Sequence, residues 1–273
     1  MTVTLTILGS GSSAGVPRPA LGWGACDPNN PRNRRRRCSL LAEKAGPNGI
    51  TRVLIDTSPD LREQLIDANV DHLEATFLTH EHADQTHGID DLRSVVLHQR
   101  KRIPVYLNTS TGKDILSRFA YCFEQAPGSD YPAILEKRSI EAGGTESIDG
   151  KGGSLALTAF LVQHGNIPAL GYRIGNAAYT PDLHDIPPES FHALENLDLW
   201  IPRLLTDLSA TLGAIAATGL GAAMFLATQV IMNDGAADNG PWRSFIDCRE
   251  DMPASIVIHT RGSRFISFDW KLA

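Results

Sequence analysis

One stretch fixes much of what this chain can become: Ala75-Thr76-Phe77-Leu78 runs straight into Thr79-His80-Glu81-His82-Ala83-Asp84-Gln85. The first four residues are apolar or β-prone, as a buried strand requires. Three potential metal ligands then follow with one residue between each. Extended backbone sends residues i and i+2 to the same side, so His80 and His82 face one point just past a strand end. A lone histidine at a strand end reads as a hydrogen-bonded surface residue. Two histidines in register with a carboxylate predict a metal site instead.

Such a strand end needs a sheet behind it. At 273 residues and 42% hydrophobic content the chain can bury a full core, and we expect one α/β domain over residues 1–273. The net charge of −6 excludes a protein whose main role is coating nucleic acid, which needs a basic footprint. Cys26, Cys38, Cys122 and Cys248 are scattered, with no Cys-x-x-Cys pair. That predicts reduced thiols and a cytoplasmic setting rather than a disulfide framework. No basic stretch leads into an apolar run at the N-terminus, so no signal peptide is expected.

In chain order, Thr2 to Leu8 reads as a strand that runs into Gly9-Ser10-Gly11-Ser12-Ser13-Ala14-Gly15. The spacing is formally that of a dinucleotide loop. Pro17, Pro19 and Gly22 follow, however, where the pyrophosphate would need a helix N-terminus, so a tight glycine loop is expected. A Walker reading lacks its Gly-Lys-Ser/Thr. The run Arg32-Asn33-Arg34-Arg35-Arg36-Arg37 is a solvated basic loop or, on a sharper reading, a source of guanidinium groups for a phosphate-bearing substrate.

Cys38 to Glu43 and Thr51 to Asp56 predict a hairpin turned at Gly46-Pro47-Asn48-Gly49. Thr57-Ser58-Pro59-Asp60 opens a helix whose apolar face is Leu61, Leu65 and Ile66. A helix begins at Ile89, a strand spans Ile103 to Leu107, and an amphipathic helix spans Thr111 to Phe123. Ser154 to Gln163, Leu170 to Ile174 and Ala177 to Thr180 are strands. Two of these lead into ligand-type residues, His164 and Asp182.

Thr79-His80-Glu81-His82-Ala83-Asp84, the isolated His164 and Tyr179-Thr180-Pro181-Asp182 together resemble the metallo-β-lactamase superfamily. Its motif is His-x-His-x-Asp-His with a further His, a bridging Asp and a last His. The surrounding words narrow the resemblance: Gly9 to Pro17, Asn33-Arg34-Arg35-Arg36, Asp56 to Asp60, Gly88-Ile89-Asp90-Asp91-Leu92-Arg93 and Ala169-Leu170-Gly171-Tyr172 are similar to the PhnP-like phosphodiesterases. The likeness covers residues 2–201.

The resemblance implies a four-layer αβ/βα sandwich with two metal ions at one edge, and hydrolysis of phosphodiesters, cyclic or nucleotide-derived ones included, by a metal-bound hydroxide. His80, His82 and His164 would form a three-histidine set suited to Zn²⁺ or Mn²⁺. Asp84 would serve the second ion and the attacking water as the catalytic carboxylate, and Asp182 would bridge both ions. Asp56 and Asp91 would orient ligands or fix loops. His72, His87, His98, His184 and His192 read as structural.

The chain departs from the family in two places. Gln85 stands where the motif has its third histidine. A neutral amide oxygen is a poor donor to a borderline metal, so one tight ion and a weakened second site are expected. Past Ile201 the family's His-Pro-x-His segment and last histidine motif are missing, and Leu208 to Asn233 carries no charge.

That atypical tail, residues 201–273, has three readings: a packed helix from Leu212 to Val230, a membrane span diluted by Thr, Gln and Gly, or sequence not the family's own through an altered frame or recombination. Ser255 to His259 and Arg264 to Phe268 form an expected hairpin, with His259 a candidate replacement ligand. The apolar tail is a candidate homodimer contact.

The sequence thus reads as a metal-dependent phosphodiesterase taking a small substrate, with no stable nucleic-acid partner and no membrane insertion. Two alternatives stay open: an RNA-processing nuclease of the same superfamily, and a catalytically impaired metal-binding or regulatory paralogue.

Overall fold

Alternating apolar side chains build two sheets that share one core. The structure, a computed structural model, describes residues 2–24, 26–197, 199–204, 224–225, 255–261 and 264–271. Its strands are β1 Thr2–Gly9, β2 Ser39–Gly46, β3 Gly49–Ile55, β4 Ala75–Phe77, β5 Ile103–Leu107, β6 Leu135–Ser139, β7 Thr145–Ile148, β8 Leu155–His164, β9 Ile167–Ile174, β10 Ala177–Leu183, β11 Leu199–Leu204, β12 Met224–Phe225, β13 Ser255–Arg261 and β14 Arg264–Lys271. The helices are α1 Leu61–Asp67, α2 Ala83–Thr86, α3 Leu92–Gln99 and α4 Thr109–Phe123. Among the described residues the first sheet has the order β14-β13-β1-β2-β3-β4-β5-β6 and the second β12-β11-β10-β9-β8-β7.

Period-two patterning explains the layers. Leu40, Ala42, Val53, Ile55, Ala75 and Phe77 of the first sheet point inward, against Leu155, Leu157, Ala159, Leu170, Tyr172 and Tyr179 of the second. The alternate residues Leu41, Leu54 and Leu78 face outward, where α1, α3 and α4 cover them. On the far side Phe160, Val162, Ala178 and Trp200 pack under a 3₁₀ segment, Pro188–Leu194. The expected αβ/βα layering is therefore present, with that short segment as the described part of the fourth layer. Each fully buried large apolar side chain contributes about 1.5–3 kcal/mol, so the inner layer and the helix-covered face both carry much of the stability.

Local signals account for the element ends. Ser58 Oγ accepts the Asp60 N–H at 3.2 Å as the chain turns into α1, and the Asn108 carboxamide accepts the Thr111 N–H at 2.7 Å to cap α4. The helix expected at Ile89 starts as a 3₁₀ turn, Ile89–Asp91, before α3. Leu61 and Leu65 are buried as expected, but Ile66 is exposed, because it lies a further 100° around a seven-residue helix from Leu65.

The glycine loop packs against protein, not a ligand. A Cβ at Gly9 would lie 2.1 Å from the Arg37 carbonyl oxygen, and the Gly11 N–H donates to the Arg36 carbonyl at 2.7 Å. The basic run is not simply a solvated loop either. Arg35 is buried, Arg37 pairs with Asp60 at 2.7 Å, and Arg36 pairs with Asp67 at 2.5 Å. Cys38 and Cys122 are free and buried, as reduced thiols are expected to be, whereas Cys26 is disulfide-bonded, which departs from that expectation; Cys248 lies outside the described residues.

Most of the apolar tail also lies outside the described residues. The helix expected at Leu212 to Val230 is described only at Met224 and Phe225, and these two are extended, pairing in parallel with Leu199 and Trp200 of β11. Among the described residues no helix is long and apolar enough to cross a membrane. The expected hairpin forms as β13 and β14, with both strands longer than predicted.

Candidate metal centre

Parallel pairing of β3, β4 and β5 brings their C-terminal ends to one edge of the first sheet. Asp56 leaves β3 there, and Thr79 and His80 leave β4. The Asp56 N–H donates to the Phe77 carbonyl at 2.8 Å, and the residue takes a left-handed φ of 64°, a conformation aspartate tolerates better than most residues. This bend turns its carboxylate onto Thr79. Oδ1 accepts the Thr79 N–H at 2.8 Å, and the Thr79 hydroxyl lies 3.0 Å from both carboxylate oxygens.

The same hydroxyl is 3.0 Å from His80 Nδ1. It has one proton. Donated to Asp56, that proton leaves Oγ1 as acceptor for an Nδ1–H, and the Nε2 lone pair of His80 then points into the site. Burial raises the Asp56 carboxyl well above the usual carboxylate range. The two bonds from Thr79 oppose that, and the charges of Asp182 and Asp84 add to it.

The second sheet supplies the other half. β8 ends at His164, opposite Ile167 across a turn in which Gly165 adopts φ 60°. His164 Nε2 lies 3.1 Å from His82 Nδ1, and the ligand atoms of His80, His82 and His164 all lie within 4.8 Å of one another. Nitrogens bound tetrahedrally at about 2.0–2.1 Å from one ion sit about 3.3 Å apart, so this three-imidazole set fits a Zn²⁺-sized ion with small closure. The ligand chemistry, three neutral nitrogens, suits Zn²⁺ or Mn²⁺ better than Ca²⁺.

Asp182 joins them from β10, where the register with β11 shifts between Thr180 and Leu183. Such irregularities re-aim side chains at sheet edges. Its Oδ2 is 3.5 Å from His80 Nε2, and both residues are fully enclosed. Three backbone clamps hold this end in place: Leu170 N–H to Thr79 carbonyl at 2.9 Å, His184 N–H to Gln163 carbonyl at 2.7 Å, and Gln163 N–H to Asp185 carbonyl at 2.8 Å. The Tyr172 hydroxyl donates to the Leu78 carbonyl at 2.7 Å and ties the sheets together behind the histidines.

Gln85 is the residue whose role the sequence conceals. It is fully buried on α2, pinned by its own carbonyl accepting the Thr57 N–H at 2.7 Å. Its Nε2 donates to Asp182 Oδ2 at 2.8 Å and lies 3.4 Å from Asp84 Oδ2, so the amide links the two carboxylates. Among the described residues its Oε1 has no hydrogen-bond partner.

Five expected residues, His80, His82, Asp84, His164 and Asp182, are thus gathered at one edge. Of His259 the backbone alone is described, and that backbone is in register with Thr4 of β1. Asp91 accepts from the backbone of Arg62 and fixes a loop rather than a ligand; burial raises its carboxyl above the usual range. His72 binds Asp71 and the Ile50 carbonyl, and His87 packs on Phe119, as structural residues do. Thr79 went unrecognised in the sequence, although a hydroxyl directly before a strand-end histidine is a readable signal.

Comparisons with known proteins agree with this geometry. The Beta-lactamase superfamily domain matches residues 51–230, a span that runs past Ile201. A diphosphatase of the PhnP family is 30% identical over 80% of this chain and 83% of its own, with a TM-score of 0.67. Zn²⁺-bound PqqB from Methylobacterium extorquens, 18% identical over 80% of this chain and 77% of its own, shares the fold with a TM-score of 0.53. An octanoyltransferase from Porphyromonas gingivalis (strain ATCC BAA-308 / W83) is 34% identical over 194 residues, 71% of this chain. The chain spans 37% of that protein's length, and the name describes the whole.

Proposed function

The chain belongs to the metallo-β-lactamase superfamily, on its PhnP-like side, and we propose that it is a metal-dependent hydrolase of small phosphodiesters, cyclic or nucleotide-derived ones included. The observation that carries this reading is the convergence of His80, His82 and His164, with ligand atoms within 4.8 Å, beside two buried carboxylates. These histidines would hold a Zn²⁺ or Mn²⁺ ion. When bound, the ion supplies a Lewis acid that acidifies water and offsets charge on a phosphoryl oxygen.

The remaining work falls to the chain. Thr79 and Asp56 keep His80 in one tautomer and orientation. Asp84 accepts the proton of the attacking water and holds that water in line with the leaving group. Asp182, 3.5 Å from His80, would offer a carboxylate oxygen to the same ion.

The test is turnover by zinc- or manganese-loaded protein of an aryl phosphodiester, a nucleotide diphosphate ester, a phosphomonoester and a precursor RNA. The diphosphate arm is included because the PhnP-family relative is a diphosphatase. We expect the diester to be cleaved and Asp84→Asn to lower kcat by about 100-fold or more, the scale of a lost general base. No turnover of any phosphoester with either metal in excess would overturn the proposal. Gln85 favours a second reading, a metal-binding paralogue with little hydrolytic power; a chain that binds metal and turns over none of the four would establish it.

A further inference from the structure

Two buried carboxylates facing each other need positive charge between them. Here Asp84 is 7% exposed and Asp182 1%, and the group between them is the Gln85 NH₂. We infer that the Gln85 carboxamide takes the place of a cation between Asp84 and Asp182, which limits the centre to one ion and holds Asp84 in position beside it. The inference rests on the metal reading above and adds the number of ions and the reason for it.

The geometry supports displacement rather than addition. An ion bound by both carboxylates would sit about 2.0–2.2 Å from an oxygen of each. Nε2 is itself 2.8 Å from Asp182 Oδ2 and 3.4 Å from Asp84 Oδ2, so it occupies that gap. The side chain has little room to withdraw. Gln85 is fully buried, its carbonyl is fixed by Thr57 and its N–H donates to the His82 carbonyl at 3.1 Å.

The amide orientation also has a physical basis. Turned over, it would aim Oε1 at two carboxylate oxygens and remove the only hydrogen bonds described for the group. In the observed sense the atom without a partner among the described residues is Oε1, a buried acceptor, which is the less costly outcome. A histidine at this position would have the opposite effect, offering a lone pair to an ion shared with the two carboxylates.

The experiment is metal content per folded chain, by elemental mass spectrometry after equilibration across a range of buffered free zinc. Native protein, Gln85→His, Gln85→Ala and the double variant His80→Ala/His164→Ala are compared, each checked for a cooperative thermal transition. Native protein is expected to saturate at one ion, with any second binding at least about 100-fold weaker, the scale of a charge-assisted buried hydrogen bond that must first be broken. Gln85→His is expected to take two ions.

Two ions of similar affinity in the native chain would overturn the inference. So would one ion in both Gln85 variants, since the amide would then not be what excludes the second. Should the variants fail to fold, the native titration alone decides. No zinc bound by native protein, or an ion retained by the double variant, would instead sink the three-histidine reading on which the inference stands.

Discussion

Replacing Thr79 with valine removes one oxygen and keeps the shape. Valine tolerates the extended backbone that follows β4 and matches threonine in volume. The loss is confined to three contacts of 3.0 Å, two with the Asp56 carboxylate and one with His80 Nδ1. The Thr79 N–H still donates to Asp56 Oδ1 at 2.8 Å, so the carboxylate stays anchored. His80 loses the group that holds its proton on Nδ1. Removing such an outer hydrogen bond typically lowers metal affinity by about 10–100-fold, equal to about 1.4–2.7 kcal/mol.

The metal-free protein bears a separate cost, since buried acceptors on Asp56 lose a donor, about 1–3 kcal/mol. The two effects are separable. Zinc affinity from chelator competition reports the first, and the thermal midpoint without metal reports the second. The stabilisation that zinc adds at fixed concentration should shrink by the same amount as the binding free energy. Thr79→Ser restores the hydroxyl and should recover most of the affinity. Zinc affinity for Thr79→Val within about twofold of native, or no recovery with serine, would refute the relay from Asp56 through Thr79 to His80.

Other consequences are equally direct. In the metal-free protein burial lifts the Asp56 carboxyl above its unfolded value, so between those two pKa values the folded state holds a proton the unfolded chain has lost. Stability therefore falls as pH rises through that window, and Asp56→Asn should flatten the slope in pH-dependent urea denaturation; an unchanged slope would refute it. Tyr172→Phe strips the Leu78 carbonyl of a buried donor and should cost about 1–3 kcal/mol in the same assay, with no change expected at exposed Tyr131. Arg37→Met breaks a half-buried pair that also receives a bond from the Arg37 backbone, whereas Arg36→Ala breaks a more exposed one. Thermal midpoints should fall clearly for the first and by no more than about 1 kcal/mol equivalent for the second.

What the sequence disclosed and withheld follows from the range of each signal. His80, His82, His164 and Asp182 were legible because each closes or nearly closes an apolar strand, and strand periodicity is local. β6 and β7 were not, since Glu136, Lys137 and Arg138 or Thr145 and Ser147 leave them exposed and without apolar alternation. The end of β13 was misplaced because Ile256-Val257-Ile258 resembles a strand end, while the strand continues to Arg261 in register with β1. Gln85 could be read as a departure from a motif. Its bond to Asp182 could not, because the partner lies 97 residues further along the chain.

The division of the centre between two sheets also decides how much order it has before any ion arrives. The first sheet carries Asp56, Thr79 and His80, and the second carries His164 and Asp182. An ion alone could recruit these groups only against the entropy of ordering them. Here Leu170 N–H to Thr79 carbonyl and Tyr172 hydroxyl to Leu78 carbonyl lock the sheet edges together within a layer of fully buried side chains. Gln85 then joins Asp182 to Asp84 across the same seam. Backbone and amide bonds thus do the positioning, and the free energy of metal binding goes into affinity rather than folding. The same bonds make the centre stiff, and a stiff gap already filled by an amide is one that a second ion enters only by breaking it.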